Sequence, residues 1–208
     1  MDDDDLARLA SRTQAVYERN AQRFDAERPK GLHERLWLDR FLDGLPQGGK
    51  ILDLGCGAGM PIAAYFMGKG FAVTGLDASA AMIQLAKNVM PDGDWREGDM
   101  RGLDLNETFD GIIGWNSFFH LTRPEQRDVL PRLARHLETN GRLMLTVGPE
   151  NGEAVGHVGD DRIYHSSLSP DEYASILLVN QLAIKDFVIE DPQCDFQTIL
   201  LAQKTEWA

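Results

Sequence analysis

The sequence predicts an α/β fold in which a mostly parallel sheet carries helices on both faces. Between residues 50 and 147, short apolar segments with strand composition alternate with segments whose apolar residues recur at helical spacing. A loop with three glycines follows the first strand, where nucleotide-binding α/β folds hold their ligand. After residue 182, two strands follow each other without a helix between them, which predicts an antiparallel pair that closes the sheet.

Two helices are predicted ahead of the sheet, at residues 6–26 and 32–42, and a turn at residues 29–31 separates them. The alternating region is predicted as strand 50–54, helix 61–69, strand 72–76, helix 80–89, strand 94–97, strand 109–115, helix 124–137 and strand 142–147. Residues 140–141 end the segment before the last of these strands. Residues 151–168 are rich in glycine and turn positions and predict a loop or a small hairpin. A helix starts at residues 169–172 and ends near residue 180, and strands 183–190 and 196–203 follow.

The composition is acidic and limits the choice of partners. Asp and Glu number 33 against 21 Lys and Arg, which gives a formal net charge of −12. Such a surface repels phosphate backbones, and no basic patch compensates for it. The sequence has no run of about 18 apolar residues that could span a membrane, and its two cysteines do not make a disulfide framework. We therefore expect a cytoplasmic protein whose partner is neither nucleic acid nor membrane; the oligomeric state stays open.

The glycine loop determines which nucleotide the protein is expected to bind. Gly55, Gly57 and Gly59 follow the first strand, and Asp53 lies two residues ahead of them. Glycine allows a sharp turn and a close approach of the backbone to a ligand. The spacing is G-x-G-x-G, whereas a dinucleotide fingerprint reads G-x-G-x-x-G, so an NAD-dependent oxidoreductase remains only as an alternative. Cys56 is expected to be a small side chain that fits against the sheet, not a nucleophile.

Two further acidic positions follow the next strands. Asp77, with Ala78 after it, ends the second strand about 20 residues beyond the glycine loop, where a carboxylate can bind both hydroxyls of a ribose. Asp99 and Met100 follow the third strand. In this order, the three elements resemble those of the class I, Rossmann-like S-adenosylmethionine-dependent methyltransferases, and in particular the generic enzymes that act on small molecules.

This resemblance implies one domain over residues 1–208 with a seven-stranded, mostly parallel sheet and an antiparallel C-terminal hairpin. Its parts would be an N-terminal helical cap (1–45), a cofactor-binding core (46–148), a substrate-side loop or hairpin (149–170) and a C-terminal helix with a β-hairpin (171–208). The cofactor would be S-adenosylmethionine, with S-adenosylhomocysteine as product. Its implied ligands are Asp53, Gly55, Cys56, Gly57, Gly59, Asp77, Ala78, Asp99, Met100, Trp115 and Tyr17.

The resemblance also assigns roles to some of these residues. Asp77 would bind the ribose, Asp99 would accept from the adenine amino group, and Met100 would pack against the ring. The Trp115 backbone would receive the methionine amino group. Five histidines scattered singly, without ligand spacing, argue against a metal site.

Residues 114–121 occupy the place that faces the transferable methyl group in this family. They lack the Asn-Pro-Pro-Tyr or Asp-Pro-Pro-Tyr sequence of enzymes that methylate bases or glutamine, so we expect methylation of O, N or S of a small molecule. Histidine as a residue type titrates near neutrality, which makes His120 the candidate general base; the alternative is a structural hydrogen bond. The candidate substrate contacts are Asn116, Tyr164, His165 and Trp37, and Arg28 in the cap can also reach cofactor or substrate. A protein that binds the cofactor without catalysis is a further alternative.

Overall fold

A seven-stranded sheet forms the centre of the protein in a computed structural model that describes residues 3–206. The strands are β1 (Lys50–Leu54), β2 (Ala72–Asp77), β3 (Asp94–Glu97), β4 (Phe109–Gly114), β5 (Leu137–Val147), β6 (Gly152–Val158), β7 (Asp161–Ser167), β8 (Leu182–Asp191) and β9 (Gln197–Lys204). The sheet order is β3-β2-β1-β4-β5-β9-β8, and β6 pairs only with β7. Strands β1 to β5 are parallel, whereas β9 is antiparallel to both of its neighbours. The predicted mostly parallel sheet with an antiparallel C-terminal pair is therefore confirmed.

Helices cover both faces of the sheet, as the apolar strands require. The helices are α1 (Asp3–Ser11), α2 (Thr13–Glu27), α3 (Arg35–Leu42), α4 (Ile62–Gly68), α5 (Ala80–Val89), α6 (Arg123–His136) and α7 (Pro170–Val179). One face packs against α3, α4 and α5 through Phe41, Phe66 and Ile83. The other face packs against α6 and α7, with Leu133 and Tyr173 in the contact. Within residues 3–206, none of the helices combines the length and apolar character that a membrane span requires.

Helix α2 and the β6–β7 hairpin form a cover over the carboxyl edge of the sheet. The Glu18 carboxylate accepts a hydrogen bond of 2.6 Å from the Ser79 hydroxyl at the start of α5. On the hairpin side, Arg19 forms an ion pair of 2.6 Å with Asp161. Val16 of α2 packs with Val158 and Ile163 of the hairpin. The cover is thus attached to the nucleotide-binding loops at one end and to the hairpin at the other.

Most element boundaries lie within a residue of the prediction, and the larger differences fall in the N-terminal helices and at the start of β5. The helix predicted at residues 6–26 is divided at Arg12 into α1 and α2, and the next helix begins at Arg35 rather than at residue 32. Strand β5 follows α6 without a turn between them. Its first residue, Leu137, is 1% exposed and pairs with Phe109 of β4, and the pairing between β4 and β5 resumes at Arg142 after a bulge. Burial of Leu137 therefore starts the strand five residues early. Residues 151–168, predicted as a loop or a hairpin, form the β6–β7 hairpin.

Candidate functional site

A cavity of about 460 Å³ lies between the helical cover and the carboxyl ends of β1, β2 and β4. Its walls come from four parts of the chain: the glycine loop, the acidic residues after β2 and β3, the segment after β4, and α2 with the connection to α3. The hairpin and the β8–β9 turn complete it. This position matches the rule that α/β sheets bind ligands at the carboxyl ends of their strands, where the strand order reverses.

The glycine loop brings backbone to the cavity wall. Gly55 and Gly57 have φ angles of +68° and +54°, which side chains with a Cβ rarely adopt. A Cβ on Gly55 would lie 2.4 Å from Cβ of Ser117, whereas one on Gly57 would have only Met82 within 4.0 Å. Both glycines line the cavity. Gly55 is therefore required by the close contact with Ser117, while Gly57 leaves room for a ligand.

Asp77 holds the loop from the end of β2. Its carboxylate accepts the Gly57 N–H at 2.9 Å and the Ser79 N–H at 2.8 Å. Burial raises the pKa of Asp77, and these two backbone hydrogen bonds oppose that rise. Each carboxylate oxygen keeps one further lone-pair direction, because an ionised carboxylate accepts about four hydrogen bonds. The Ala78 carbonyl, next in the chain, accepts from the side-chain amide of Gln14 at 2.7 Å.

Asp99 and Met100 form the wall after β3. The Asp99 carboxylate accepts from the Arg101 backbone N–H at 2.9 Å and pairs with the Arg101 guanidinium at 3.0 Å. This pairing fixes the carboxylate at the start of a one-turn 3₁₀ helix that begins at Met100. Arg101 is itself held by Glu125 at 2.6 Å, so the orientation of Asp99 is determined by a network that extends to α6.

Asp53 and Arg28 are two charged groups near the glycine loop. Asp53 is 4% exposed, and burial raises its pKa to about 7, with Arg28 lowering it and Asp77 adding to the rise. Arg28, at the end of α2, lines the cavity. Within residues 3–206, no carboxylate lies within ion-pair distance of its guanidinium. Arg28 therefore presents a positive charge to the cavity close to a buried acid.

Tyr17 and His120 form a hydrogen-bonded pair on the cavity wall. His120 Nδ1 lies 3.0 Å from the Tyr164 carbonyl oxygen, which can only accept, so Nδ1 carries the proton. In the neutral ring Nε2 is then an acceptor, and the Tyr17 hydroxyl donates to it at 2.9 Å. Burial lowers the pKa of His120 to about 4, which keeps the ring neutral at pH 7. Burial, and secondarily Asp77, raises the pKa of Tyr17.

Comparison with known proteins agrees with this arrangement. A family model described as a methyltransferase domain matches residues 51–141. The cypemycin N-terminal methyltransferase of a Streptomyces species is 31% identical over 135 residues, which are 62% of this chain and 54% of the relative. A dTDP-4-amino-2,3,4,6-tetradeoxy-D-glucose N,N-dimethyltransferase of Saccharopolyspora spinosa is 33% identical over 99 residues, 47% of this chain and 39% of that protein. The chain thus spans about half or less of the length of these curated relatives.

A solved structure extends the comparison to the whole fold. The amino pentose methyltransferase CalS10 of Micromonospora echinaspora, bound to S-adenosylmethionine, superimposes with a TM-score of 0.69 at 19% identity. The match covers 90% of this chain and 96% of that one. The chain therefore has the fold of the class I, Rossmann-like methyltransferases.

The cavity includes most of the predicted site residues but not all of them. The predicted site residues that line the cavity are Tyr17, Gly55, Gly57, Asp77, Ala78, Asp99, Met100, Trp115, Asn116 and His120. The predicted cofactor ligands that do not line it are Asp53, Cys56 and Gly59. Cys56 lies against the sheet, where a Cβ on Gly75 would be 2.8 Å from its sulfur, and burial raises the pKa of its thiol. The roles of all these residues in ligand binding stay predictions.

Three of the predicted substrate contacts have other partners in the structure. The Trp37 indole donates to Asp191 at 2.8 Å and is 3% exposed. Tyr164 is 1% exposed, and its side chain donates to Glu153 at 2.5 Å. The ring of His165 packs against His120, with 5.0 Å between centroids. None of the three lines the cavity, although Tyr164 influences it through the carbonyl that orients His120.

Sequence reasoning missed several cavity residues. Thr13 lines the cavity, and its buried hydroxyl has no hydrogen-bond partner within residues 3–206. Glu34, between α2 and α3, and Cys194 in the β8–β9 turn also line it. These residues belong to no motif; the only signal for them was the position of their elements at the carboxyl edge of the sheet. Among residues 3–206, no group of three or more His, Cys, Asp or Glu side chains is arranged to hold a metal ion.

Proposed function

We propose that this protein transfers the methyl group of S-adenosylmethionine to an O, N or S atom of a small molecule. One observation carries the proposal: a single cavity joins the glycine loop, Asp77 and Asp99 to the Tyr17–His120 pair. The glycine loop, Asp77 and Asp99 can hold a nucleoside. The Tyr17–His120 pair can contact a second molecule beside that nucleoside. The products would be the methylated acceptor and S-adenosylhomocysteine.

The residues of the cavity fit the parts of this cofactor. Asp77 retains lone pairs for two ribose hydroxyls beyond its bonds to Gly57 and Ser79. Asp99 can accept from the adenine amino group through its second oxygen, which receives only the Arg101 guanidinium. The free guanidinium of Arg28 suits the carboxylate of the methionine part, since Arg binds carboxylates in a bidentate manner. S-adenosylmethionine supplies a methyl group bonded to a positively charged sulfur. The sulfur departs readily as the neutral thioether of S-adenosylhomocysteine when an acceptor attacks the methyl carbon.

Tyr17 is the group proposed to contact the acceptor, and His120 positions it. The Tyr17 hydroxyl donates its hydrogen bond to Nε2 of His120. The lone pairs of the Tyr17 oxygen therefore remain available to accept from an N–H or O–H of the acceptor molecule. A pKa of about 4 makes His120 a weak base at neutral pH. The pair therefore aligns the attacking lone pair more than it removes the proton. Such alignment can raise effective concentrations to about 10⁵ M or more.

Nitrogen is the acceptor atom that the names of the two relatives described above specify, whereas the name of another relative specifies oxygen. The names of the Streptomyces and Saccharopolyspora relatives specify an N-terminus and an amino sugar, respectively. Because the chain spans only part of these proteins, their substrates serve here only as a guide to the first compounds to screen. Oxygen and sulfur acceptors remain within the proposal.

Calorimetric titration with S-adenosylmethionine, S-adenosylhomocysteine and NADH tests the cofactor. We expect the two sulfur compounds to bind with micromolar affinity and NADH not to bind. Asp77→Asn should weaken the binding of the sulfur compounds about tenfold or more, because hydrogen bonds to a charged group contribute about 1.5–3 kcal/mol. A matched substitution outside the cavity, Asp171→Asn, should bind like the wild-type protein. Binding of NADH alone would replace the proposal with an oxidoreductase.

Release of S-adenosylhomocysteine in the presence of amines, phenols and thiols tests the transfer itself. We expect at least one acceptor class to accelerate release above the rate without acceptor. Tight cofactor binding without acceleration by any class would instead support a non-catalytic cofactor-binding protein.

A further inference from the structure

The cavity extends beyond the part that faces the nucleoside. Its far end is lined by the α2–α3 connection and by the β8–β9 turn. Thr198 at the start of β9 pairs with Val147 at the carboxyl end of β5, so this turn lies at the same edge of the sheet as the glycine loop. Strands β4 and β9 are two steps apart in the sheet, which puts the turn roughly 10 Å beyond the end of β4.

A buried carboxylate without a partner faces this far end. Glu34 is 7% exposed and lines the cavity. It is the N-cap residue of α3, yet its side chain makes no capping hydrogen bond. Within residues 3–206, its carboxylate has no donor in hydrogen-bonding or ion-pair contact. Because Glu34 lines the cavity and no group in the described part of the chain donates to its carboxylate, the carboxylate oxygens are available to a donor from a ligand.

The neighbouring cations do not serve Glu34. Arg28 lines the same end, but its charge acts on Asp53 and Tyr17. Arg35 lies next in the chain and pairs with Asp39 at 3.7 Å. The Cys194 thiol is close enough to Glu34 to feel its charge, and the exposed Asp195 beside it adds a second negative group. Two carboxylates, Glu34 and Asp195, therefore line this end of the cavity, and neither Arg28 nor Arg35 forms an ion pair with Glu34.

We propose that Glu34 binds an ammonium group of the methyl acceptor, an inference that rests on the proposed methyltransferase function. A cation suits a carboxylate that has no protein donor better than a neutral hydroxyl does, because charge-assisted hydrogen bonds are about twice as strong. Phe24 and Trp115 line the cavity between the polar groups and can pack against an apolar frame.

The ammonium group that Glu34 holds is distinct from the atom that is methylated. A protonated amine has no lone pair with which to attack. Tyr17 and Glu27 are separated by about 15 Å along the axis of α2, and the chain reaches Glu34 from the Glu27 end. The acceptor that these positions suit carries its nucleophile near Tyr17 and a second, charged nitrogen at Glu34.

Matched ligand pairs test this inference. The wild-type protein, saturated with S-adenosylhomocysteine at pH 7.5, is titrated with 2-phenylethylamine and 2-phenylethanol, and with tyramine and its alcohol analogue tyrosol. We expect each ammonium compound to bind about tenfold or more tightly than its alcohol, in line with a charged hydrogen bond. Glu34→Gln should abolish this preference and leave the affinity for S-adenosylhomocysteine unchanged.

Two further variants control the result. Glu27→Gln, on the same cavity wall, should retain the preference, because the Glu27 carboxylate is already paired with Arg23 at 2.8 Å. Glu34→Asp keeps the charge and should retain part of the preference. Any of three outcomes would overturn the inference. The wild-type protein could bind the amine and the alcohol of each pair equally well, it could bind none of the four compounds, or the preference for the ammonium compounds could survive in Glu34→Gln. Failure to bind the sulfur cofactors would count against the proposed function instead, and the pairs would then be titrated into the protein alone.

Discussion

Replacing His120 by asparagine should remove a pH-dependent part of the free energy of unfolding. The ring is 7% exposed, and burial lowers its pKa from 6.5 to about 4, with His165 and Arg101 contributing in the same direction and the Tyr164 carbonyl opposing them. The unfolded chain therefore takes up a proton near pH 6.5 that the folded chain takes up only near pH 4. At about 1.4 kcal/mol per pKa unit, this corresponds to about 3 kcal/mol.

The sign follows from the lowered pKa in the folded state. The contribution of His120 is fully present above pH 6.5 and is lost as the pH falls toward 4. Asp53 acts in the opposite sense over an overlapping range, because its raised pKa of about 7 makes the fold lose stability as the pH rises from 3.8 to 7. The wild-type profile alone is thus ambiguous, and the difference between the wild-type protein and the variant isolates His120.

Urea unfolding, followed by tryptophan fluorescence from pH 4.5 to 8, measures this difference. Asparagine can still donate to the Tyr164 carbonyl but loses the Tyr17 hydrogen bond, so the variant should be less stable at pH 8 by about 1–3 kcal/mol. As the pH falls to 4.5, the gap should close or reverse, because only the wild-type protein has a buried imidazole to protonate. Two profiles that run parallel throughout, at equal m-values, would refute the assignment of a neutral, buried His120.

Three other substitutions give distinct outcomes. Tyr17→Phe should lower kcat about tenfold or more in S-adenosylhomocysteine release and leave cofactor affinity within about twofold, because it removes only the hydroxyl; unchanged kcat would exclude Tyr17 from the reaction. Gly55→Ala should destabilise the protein by about 3 kcal/mol in urea unfolding, because it combines left-handed backbone strain with a clash against Ser117. Gly70→Ala is the control: Gly70 has a φ of +89° but no atom within 4 Å of an added Cβ, so this substitution should cost only about 1 kcal/mol. Trp37→Phe should cost about 1–2 kcal/mol through its lost hydrogen bond and leave the KM of any acceptor unchanged; a raised KM would restore it as a substrate contact.

The parts of the fold that sequence predicts well are those determined by local patterns. The apolar run of β1 followed by Gly55 and Gly57 specifies a strand and a turn that few other structures satisfy. Asp77 could be located because it ends the next strand of the same parallel sheet. By contrast, nothing local signals that Leu137 begins β5 directly after α6, since its burial depends on pairing with Phe109.

The acceptor side of the cavity was predicted less well because packing between distant segments determines it. Trp37 has the size and polarity of a substrate contact, but its indole bonds to Asp191, which is 154 residues away in the chain. Tyr164 was predicted to contact the substrate; it does not line the cavity, and its carbonyl accepts a hydrogen bond from His120. No sequence pattern indicates which of two ring nitrogens a distant carbonyl will face.

The two ends of the cavity also differ in how firmly they are held. The end proposed to hold the nucleoside is formed by residues at and directly after the carboxyl ends of β1 and β2, two strands whose apolar side chains lie in the core. The acceptor end depends on α2, which is attached by exposed or half-exposed ion pairs such as Arg19–Asp161 and by a small apolar cluster around Val16. Because such ion pairs contribute about 0–1 kcal/mol each, the cover opens at less cost than the core. A cofactor that contacts both Asp77 and Arg28, at the end of α2, would join the two parts, so we expect the acceptor end to be completed only once the cofactor is bound.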